Sequence, residues 1–233
     1  MINVVVRLIT FDLDETLWDT PSILASAEKK MLAWLDAEVP SFSEAYLGNQ
    51  ETVRHSILAD RPNIHYDFNK IRIAVIEEVL GQCDVTPVDA NELARSALCI
   101  FHGERNSFET YEGAEQLLRD LSEKYVLASL SNGTSEVYRM SLGNYFELSL
   151  YASDIGVRKP NPVLFQLIFN HTGVSPAESV HVGDHPIEDI EVAAKLGMKT
   201  VQIERPEREI SPLADKSVSE LGEVYEAIVE LDQ

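Results

Sequence analysis

The chain has 233 residues, with 39 acidic side chains against 19 basic ones, a formal net charge of minus 20, and 45% hydrophobic residues. An acidic excess of this size repels nucleic-acid phosphates and anionic lipid headgroups, and the hydrophobic fraction is that of a chain with a packed core, so disorder is excluded as well. The two cysteines, Cys83 and Cys99, form no CxxC pair and have no paired His, which points to reduced thiols and away from a disulfide framework or a zinc site.

Residues Ile2 to Phe11 are apolar but carry Arg7 and run into Asp12 and Asp14, too short and too charged for a membrane span. They also lack the basic start and small-residue cleavage site of a signal peptide, so a cytoplasmic location is expected. From Val4 to Phe11 the run VVVRLITF is β-branched and reads as a strand buried on both faces, as in a parallel sheet, with Asp12 at its carboxyl end. The pattern then changes. Between residues 21 and 108 the segments ILASAEKKMLAWLDA, NKIRIAVIEEVLG and DANELARSALCIFHG carry apolar residues at helical spacing, which predicts an all-helical insertion.

After Gly113 helix and strand alternate. AEQLLRDLSEK leads to the strand YVLASLS, then come a helix near Ser135 to Met140, the strand FELSLYAS, the helix PVLFQLIFNHT, SVHVG, EDIEVAAKLG and MKTVQI. Alternation of this kind builds an α/β fold, a doubly wound parallel sheet covered by helices. The expected organisation is therefore a split core of residues 1–20 and 109–233 around an insertion of residues 21–108. The last thirty residues hold nine acids and three bases and end in an amphipathic helix within SVSELGEVYEAIVEL.

In open parallel sheets the ligand crevice lies beyond the carboxyl ends of the strands. The polar residues there are Asp12 and Asp14, then Ser131-Asn132-Gly133, then Lys159-Pro160 in a later loop, then Gly183-Asp184 with Asp189 five positions on. Clustered carboxylates raise one another's pKa unless a cation holds them ionised, and magnesium, a hard cation, takes oxygen ligands alongside substrate phosphate. These residues together predict a magnesium and phosphate site.

In order and spacing these four motifs resemble the haloacid dehalogenase-like superfamily over nearly the whole chain. That resemblance implies a Rossmann-like core with a helical cap domain inserted after the first motif. It implies that Asp12 is the nucleophile, that Asp14 is the general acid and base, and that Ser131, Asn132 and Lys159 bind the substrate phosphate. It implies a Mg2+ site at Asp12, Asp14, through its main-chain carbonyl, and Asp184, with Asp189 as support. The second Asp of the DxD pair favours phosphate chemistry, since a halide leaving group needs no proton. Among phosphatases, Asp14 to Thr20, Arg72 in the helix beginning near Asp67, and His181-Val182-Gly183-Asp184 are similar to bacterial phosphatases acting on flavin mononucleotide and on a pyrimidine intermediate of riboflavin synthesis. The implied partner is a small phosphorylated metabolite, with no nucleic acid or membrane, and the chain is expected to act as a monomer or homodimer.

Each residue also has a plainer reading. Ser-Asn-Gly is a common turn, a lone Lys is usually on the surface, and Asp189 is placed to cap a helix. His185 adjoins Asp184, but imidazole suits magnesium poorly and it is set aside. His65, Lys70 and Arg72 are candidates for substrate contact from the cap, weighed against the solvent-facing position usual for helical charges. Trp18 and Trp34 read as hinge or core residues, with stacking on a flavin or pyrimidine ring a second reading for Trp18. A sugar phosphomutase, a haloacid dehalogenase and a non-catalytic sensor of phosphorylated ligands are the alternative functions.

Overall fold

The computed structural model describes residues 5–107 and 109–233, so Val4, at the start of the first expected strand, and Phe108, at the end of the expected insertion, lie outside the described residues. In chain order β1 (Leu8–Phe11) is followed by four helices, α1 (Thr20–Glu38), α2 (Phe42–Asp60), α3 (Phe68–Gln82) and α4 (Pro87–Arg105). Then come α5 (Ala114–Ser122), β2 (Val126–Ser131), β3 (Leu148–Tyr151), α6 (Ala152–Ile155) and α7 (Val163–Thr172). The chain continues through β4 (Ser179–Gly183), a π-helical turn (Pro186–Glu191) leading into α8 (Val192–Leu196), β5 (Lys199–Ile203), β6 (Lys216–Val218) and α9 (Val224–Leu231).

The structure divides into two compact units, Met1–Asp19 with Glu109–Gln233, and Thr20–Phe108. The first is built on a six-stranded sheet in the order β3-β2-β1-β4-β5-β6. Every pairing is parallel. This is the Rossmann-type order, and its switch point lies at β1, which pairs with β2 on one side and β4 on the other. All residues of β1 and β4 are buried, as strands covered on both faces must be. β1 begins at Leu8, the first residue in register with Val126 and Ser179, so the expected strand is shortened at its leading end, although Arg7 still bonds through its backbone to Glu178 and Val126. Along one face Leu8, Ala128 and Leu130 pack with Leu164, Phe165 and Ile168 of α7 and with Val192 and Ala193 of α8.

The second unit has its own core, in which Met31, Leu35, Phe42, Ile76, Leu80 and Phe101 are among the buried residues. α3 starts where the Asp67 carboxylate accepts from the Asn69 and Lys70 amides, and α4 starts at Thr86, which caps it ahead of Pro87. α2 is absent from the segments predicted above because its surface is mostly polar. Its buried residues, Phe42, Tyr46, Val53 and Ile57, still fall at helical spacing.

Two further elements differ from expectation. The helix expected near Ser135 to Met140 is two 3-10 turns, Val137–Arg139 and Ser141–Tyr145, interrupted by extended backbone at Met140. The Val137 amide donates to the Tyr151 hydroxyl, so a side chain takes up a backbone donor there. β6 is a three-residue edge strand, too short to leave a periodic signal. No helix among the described residues is long and apolar enough to cross a membrane.

Candidate active site

β1 and β4 lie side by side at the switch point, so the residues following them, Asp12 and Asp184, emerge together. The Asp12 amide donates to the Val182 carbonyl, which continues the strand pairing into the site and fixes the carboxylate's origin. Lys159 Nζ donates to Asp12 Oδ1 at 2.6 Å and to Asp189 Oδ1 at 2.5 Å, and Thr16 Oγ1 donates to Asp12 Oδ2 at 3.3 Å. Lys159 is 2% exposed, Asp189 1% and Asp12 6%, so this is a buried ionic contact and no surface pair.

The Asp189 carboxylate also accepts from the His185 amide through Oδ2, at 2.9 Å. Asp189 therefore bridges inward to Lys159 and does not cap the turn that carries it. Capping falls to His185, whose Nδ1 accepts from the Ile187 and Glu188 amides. Gly183 makes room for this arrangement, since a Cβ there would stand 2.6 Å from Asp189 Cγ.

Oxygen atoms of Asp12, Asp184 and Asp189 lie within 4.8 Å of one another. Burial, reinforced by Asp189, Asp184 and Asp14 and opposed by Lys159, pushes the Asp12 carboxyl well above the usual carboxylate range. Burial and Asp189 likewise raise Asp184 to about 7, although Arg208 Nη1 stands 2.9 Å from its Oδ2. For Asp189 the balance is reversed: burial opposes ionisation, but Lys159 and His181 outweigh it and hold the group below its ordinary value. Lys159 remains protonated because Asp12 and Asp189 outweigh its burial. One ammonium is therefore shared by Asp12 and Asp189 while three carboxylates converge, an arrangement that favours a further cation. An all-oxygen donor set of this kind fits a hard divalent ion.

The Asp14 carboxylate lies outside that group. Its Oδ1 accepts from the Trp18 indole at 3.0 Å and its Oδ2 from Ser131 Oγ at 3.2 Å, while Ser131 Oγ accepts from the Gly133 amide at 2.8 Å. The side chain of Asp14 is thus engaged away from the three-carboxylate group, in keeping with the expectation that only its main-chain carbonyl would face a metal. Glu15, next in the loop, takes a positive φ of 61°, and its amide donates to the Trp18 carbonyl. A Cβ at Gly133 would lie 1.7 Å from Asp14 Oδ2, so only glycine fits.

The side chain of Asn132, expected as a phosphate donor, is engaged within the protein. Its Oδ1 accepts from the Lys159 amide at 2.8 Å, and its Nδ2 donates to the Lys159 carbonyl at 3.1 Å and to Glu188 Oε2 at 2.8 Å. Both amide protons are used within the protein, so its side chain holds the lysine loop in place. Glu188 also pairs with Arg158 at 3.0 Å. The sequence reading left Glu188 without a role, although it lies between the two motif aspartates on one turn. Trp18 is fully buried with its indole on Asp14, so it offers no face for stacking on a ligand ring.

In the helical unit Lys70 pairs with Asp67 at 3.0 Å, and His65 is exposed with Nδ1 2.8 Å from the Pro62 carbonyl. The Arg72 guanidinium stacks over Phe101 at 3.6 Å from the ring centroid, and burial lowers its pKa. Of the three, only Arg72 is packed into that unit.

The match to the family model of the haloacid dehalogenase-like hydrolases extends over residues 6–197, and the chain belongs to that family. It is a hydrolase by that membership. The 5-amino-6-(5-phospho-D-ribitylamino)uracil phosphatase YigB of Escherichia coli is 27% identical over 202 residues, covering 87% of this chain and 84% of the relative. The phosphoserine phosphatase of Thermus thermophilus is 33% identical over 162 residues, covering 66% of this chain and 64% of its own. The crystal structure of a 2-haloacid dehalogenase from Pseudomonas syringae superposes with a TM-score of 0.89 at 27% identity, covering 97% of this chain and 99% of that one.

Gly133→Ala is expected to push the Asp14 carboxylate off Ser131 and lower hydrolase turnover by about 10²-fold or more, the usual worth of a positioned acid or base, with the fold retained in circular dichroism. Lys159→Met removes one partner of a buried ion cluster and is expected to cost about 3–5 kcal/mol in urea unfolding. Lys159 is what opposes the burial that raises Asp12, so without it the folded-state pKa of Asp12 stands further above the unfolded one, and its contribution to stability is present at low pH and lost as pH rises. The deficit of the variant should therefore widen from about pH 5 to about pH 8; a deficit that narrows over this range contradicts the assignment.

Proposed function

We propose that the chain is a magnesium-dependent phosphatase that hydrolyses a small phosphomonoester through an aspartyl-phosphate intermediate. The observation that carries this reading is Asp14, a second carboxylate two residues after the nucleophile position, held by Trp18 and Ser131 where it can exchange a proton. A halide leaving group needs no such residue; an alkoxide does.

In this reading an Asp12 oxygen attacks the phosphorus of the substrate. A carboxylate–phosphorus bond forms as the ester P–O bond breaks, and the leaving alkoxide takes its proton from Asp14. Asp14, now ionised, takes a proton from water as the water oxygen attacks the phosphoryl group, which releases inorganic phosphate and regenerates Asp12. Ser131 Oγ and the neighbouring amides are placed to donate to phosphoryl oxygens, and Lys159 keeps Asp12 oriented while neutralising charge in the transfer. Magnesium, held by Asp12, Asp184 and the Asp14 carbonyl, would supply the remaining positive charge on the phosphoryl oxygens. In a chain of net charge minus 20 that local positive charge is what allows an anionic substrate to approach.

For the substrate, the similarity to YigB over most of both chains supports a phosphorylated ribitylaminouracil of the kind that relative is named for, and the motif resemblance adds flavin mononucleotide as a second candidate. We assign choice of substrate to the helical unit of residues 20–108. Dehalogenation is the second reading, favoured by the likeness to the Pseudomonas syringae dehalogenase.

A release assay separates them. Phosphate should appear from flavin mononucleotide or another phosphomonoester in a broad panel, and chloride should not appear from 2-chloropropionate. Asp12→Asn is expected to abolish turnover while leaving thermal unfolding near that of the parent, and removal of magnesium by chelation should do the same reversibly. Turnover that survives both changes would defeat the nucleophile and metal assignments, and chloride release with no phosphate release would transfer the chain to the second reading.

A further inference from the structure

Behind the ion cluster lies a layer that the phosphatase mechanism does not use. The parallel register of β1 and β4 sets Thr10 opposite His181, so the two side chains emerge on the same face of the sheet. Both are fully buried. Thr10 Oγ1 lies 2.8 Å from His181 Nδ1, and the other ring nitrogen, Nε2, lies 3.4 Å from Asp189 Oδ1, the oxygen that also accepts from Lys159. Phe165 of α7 packs edge-on against the ring at 5.0 Å between centroids, which restricts its rotation.

We propose that His181, backed by Thr10, is a positioning residue that aims Asp189 and through it Lys159 at Asp12. Asp189 is ionised beside the ammonium and offers only acceptors, so the ring nitrogen facing it carries the proton. Nδ1 is then the acceptor, and the Thr10 hydroxyl proton points to it at 2.8 Å, in preference to the Val180 carbonyl at 3.4 Å. Nε2 stands in charge contact with Asp189 Oδ1 at 3.4 Å without a formed hydrogen bond, so the tautomer is set jointly, by the Asp189 charge on one side of the ring and by the Thr10 donor on the other. With this donor in place Asp189 Oδ1 is shared between imidazole and ammonium, and the ammonium is left to divide itself between Asp189 and Asp12. Without it, Asp189 draws the lysine inward and loosens its hold on the nucleophile.

The assignment rests on the proposed phosphatase site for its kinetic consequence but not for its geometry, and the test uses both. In 15N spectra of the full chain at about pH 7, the His181 ring is expected in the Nε2-protonated neutral form. His181→Leu should weaken Mg2+ binding in calorimetry, and lower kcat against a phosphomonoester with KM little changed, each by about 10- to 100-fold, the usual effect of removing an orienting partner. His181→Gln, whose amide reaches the same position, should restore most of both losses, which repacking alone would not do. If the leucine variant does not fold, Thr10→Val decides: it keeps the ring but removes the donor to Nδ1, and the Nε2-protonated form should lose its dominance. An Nδ1-protonated ring in the parent, a leucine variant with parental Mg2+ affinity and kcat, a glutamine variant no better than leucine, or an unchanged ring in Thr10→Val would each overturn the proposal. A parent that shows the expected tautomer and the Mg2+ effect but releases no phosphate or other product would refute the proposed function and leave His181 in its role.

Discussion

A protonated lysine buried between two carboxylates organises the first unit of this protein. Lys159 comes from a loop, Asp12 from the end of β1 and Asp189 from the turn after β4, so three separate stretches of chain are tied at one nitrogen. Burying an ammonium is costly unless it is paired, and Asp12 and Asp189 supply the pairing. Asn132 takes both main-chain groups of Lys159, the His185 amide donates to Asp189, and His181 Nε2 stands in charge contact with it at 3.4 Å. Because one ammonium cannot balance every carboxylate around it, the same cluster is electrostatically incomplete toward its open side, where Asp12 and Asp184 favour another cation.

That incompleteness separates the site into two chemical halves. On the Lys159 side the groups are charged and held by buried contacts. On the Asp14 side the carboxylate accepts from two neutral donors, the Trp18 indole and the Ser131 hydroxyl, the latter itself accepting from the Gly133 amide, and Gly133 makes the close approach sterically possible. Two aspartates two residues apart thus meet different surroundings, one beside a buried ammonium and the other among neutral donors. Such a difference of environment is what the proposed division into nucleophile and proton-exchanging group requires, since identical carboxylates in one medium would have the same chemistry.

The helical unit follows other rules. Its four helices bury their own core, and its conspicuous charged group, Arg72, stacks on Phe101 inside it. Its sequence has helical periodicity and none of the four ordered motifs, which all lie in the first unit.

Much of this was legible in the residues alone. Period and composition distinguish a buried β-branched strand from an amphipathic helix, so β1, β2, β4, β5 and most helices could be read directly, and polar residues at strand ends marked Asp12, Asp14, Ser131, Lys159, Asp184 and Asp189 before any geometry was known. What escaped were elements without periodic signal, namely the short edge strand β6, the 3-10 turns after Ser135 and the polar helix α2, and residues whose partners are remote in sequence. Asn132 and Glu188 are 56 positions apart, Thr10 and His181 171 apart, and their contacts follow only from the parallel register of the sheet. The same holds for the division of labour among the carboxylates. Residue type and spacing determine which groups can carry charge; which of them share one ammonium, and which are left to seek a metal, depends on distances that only the folded chain sets.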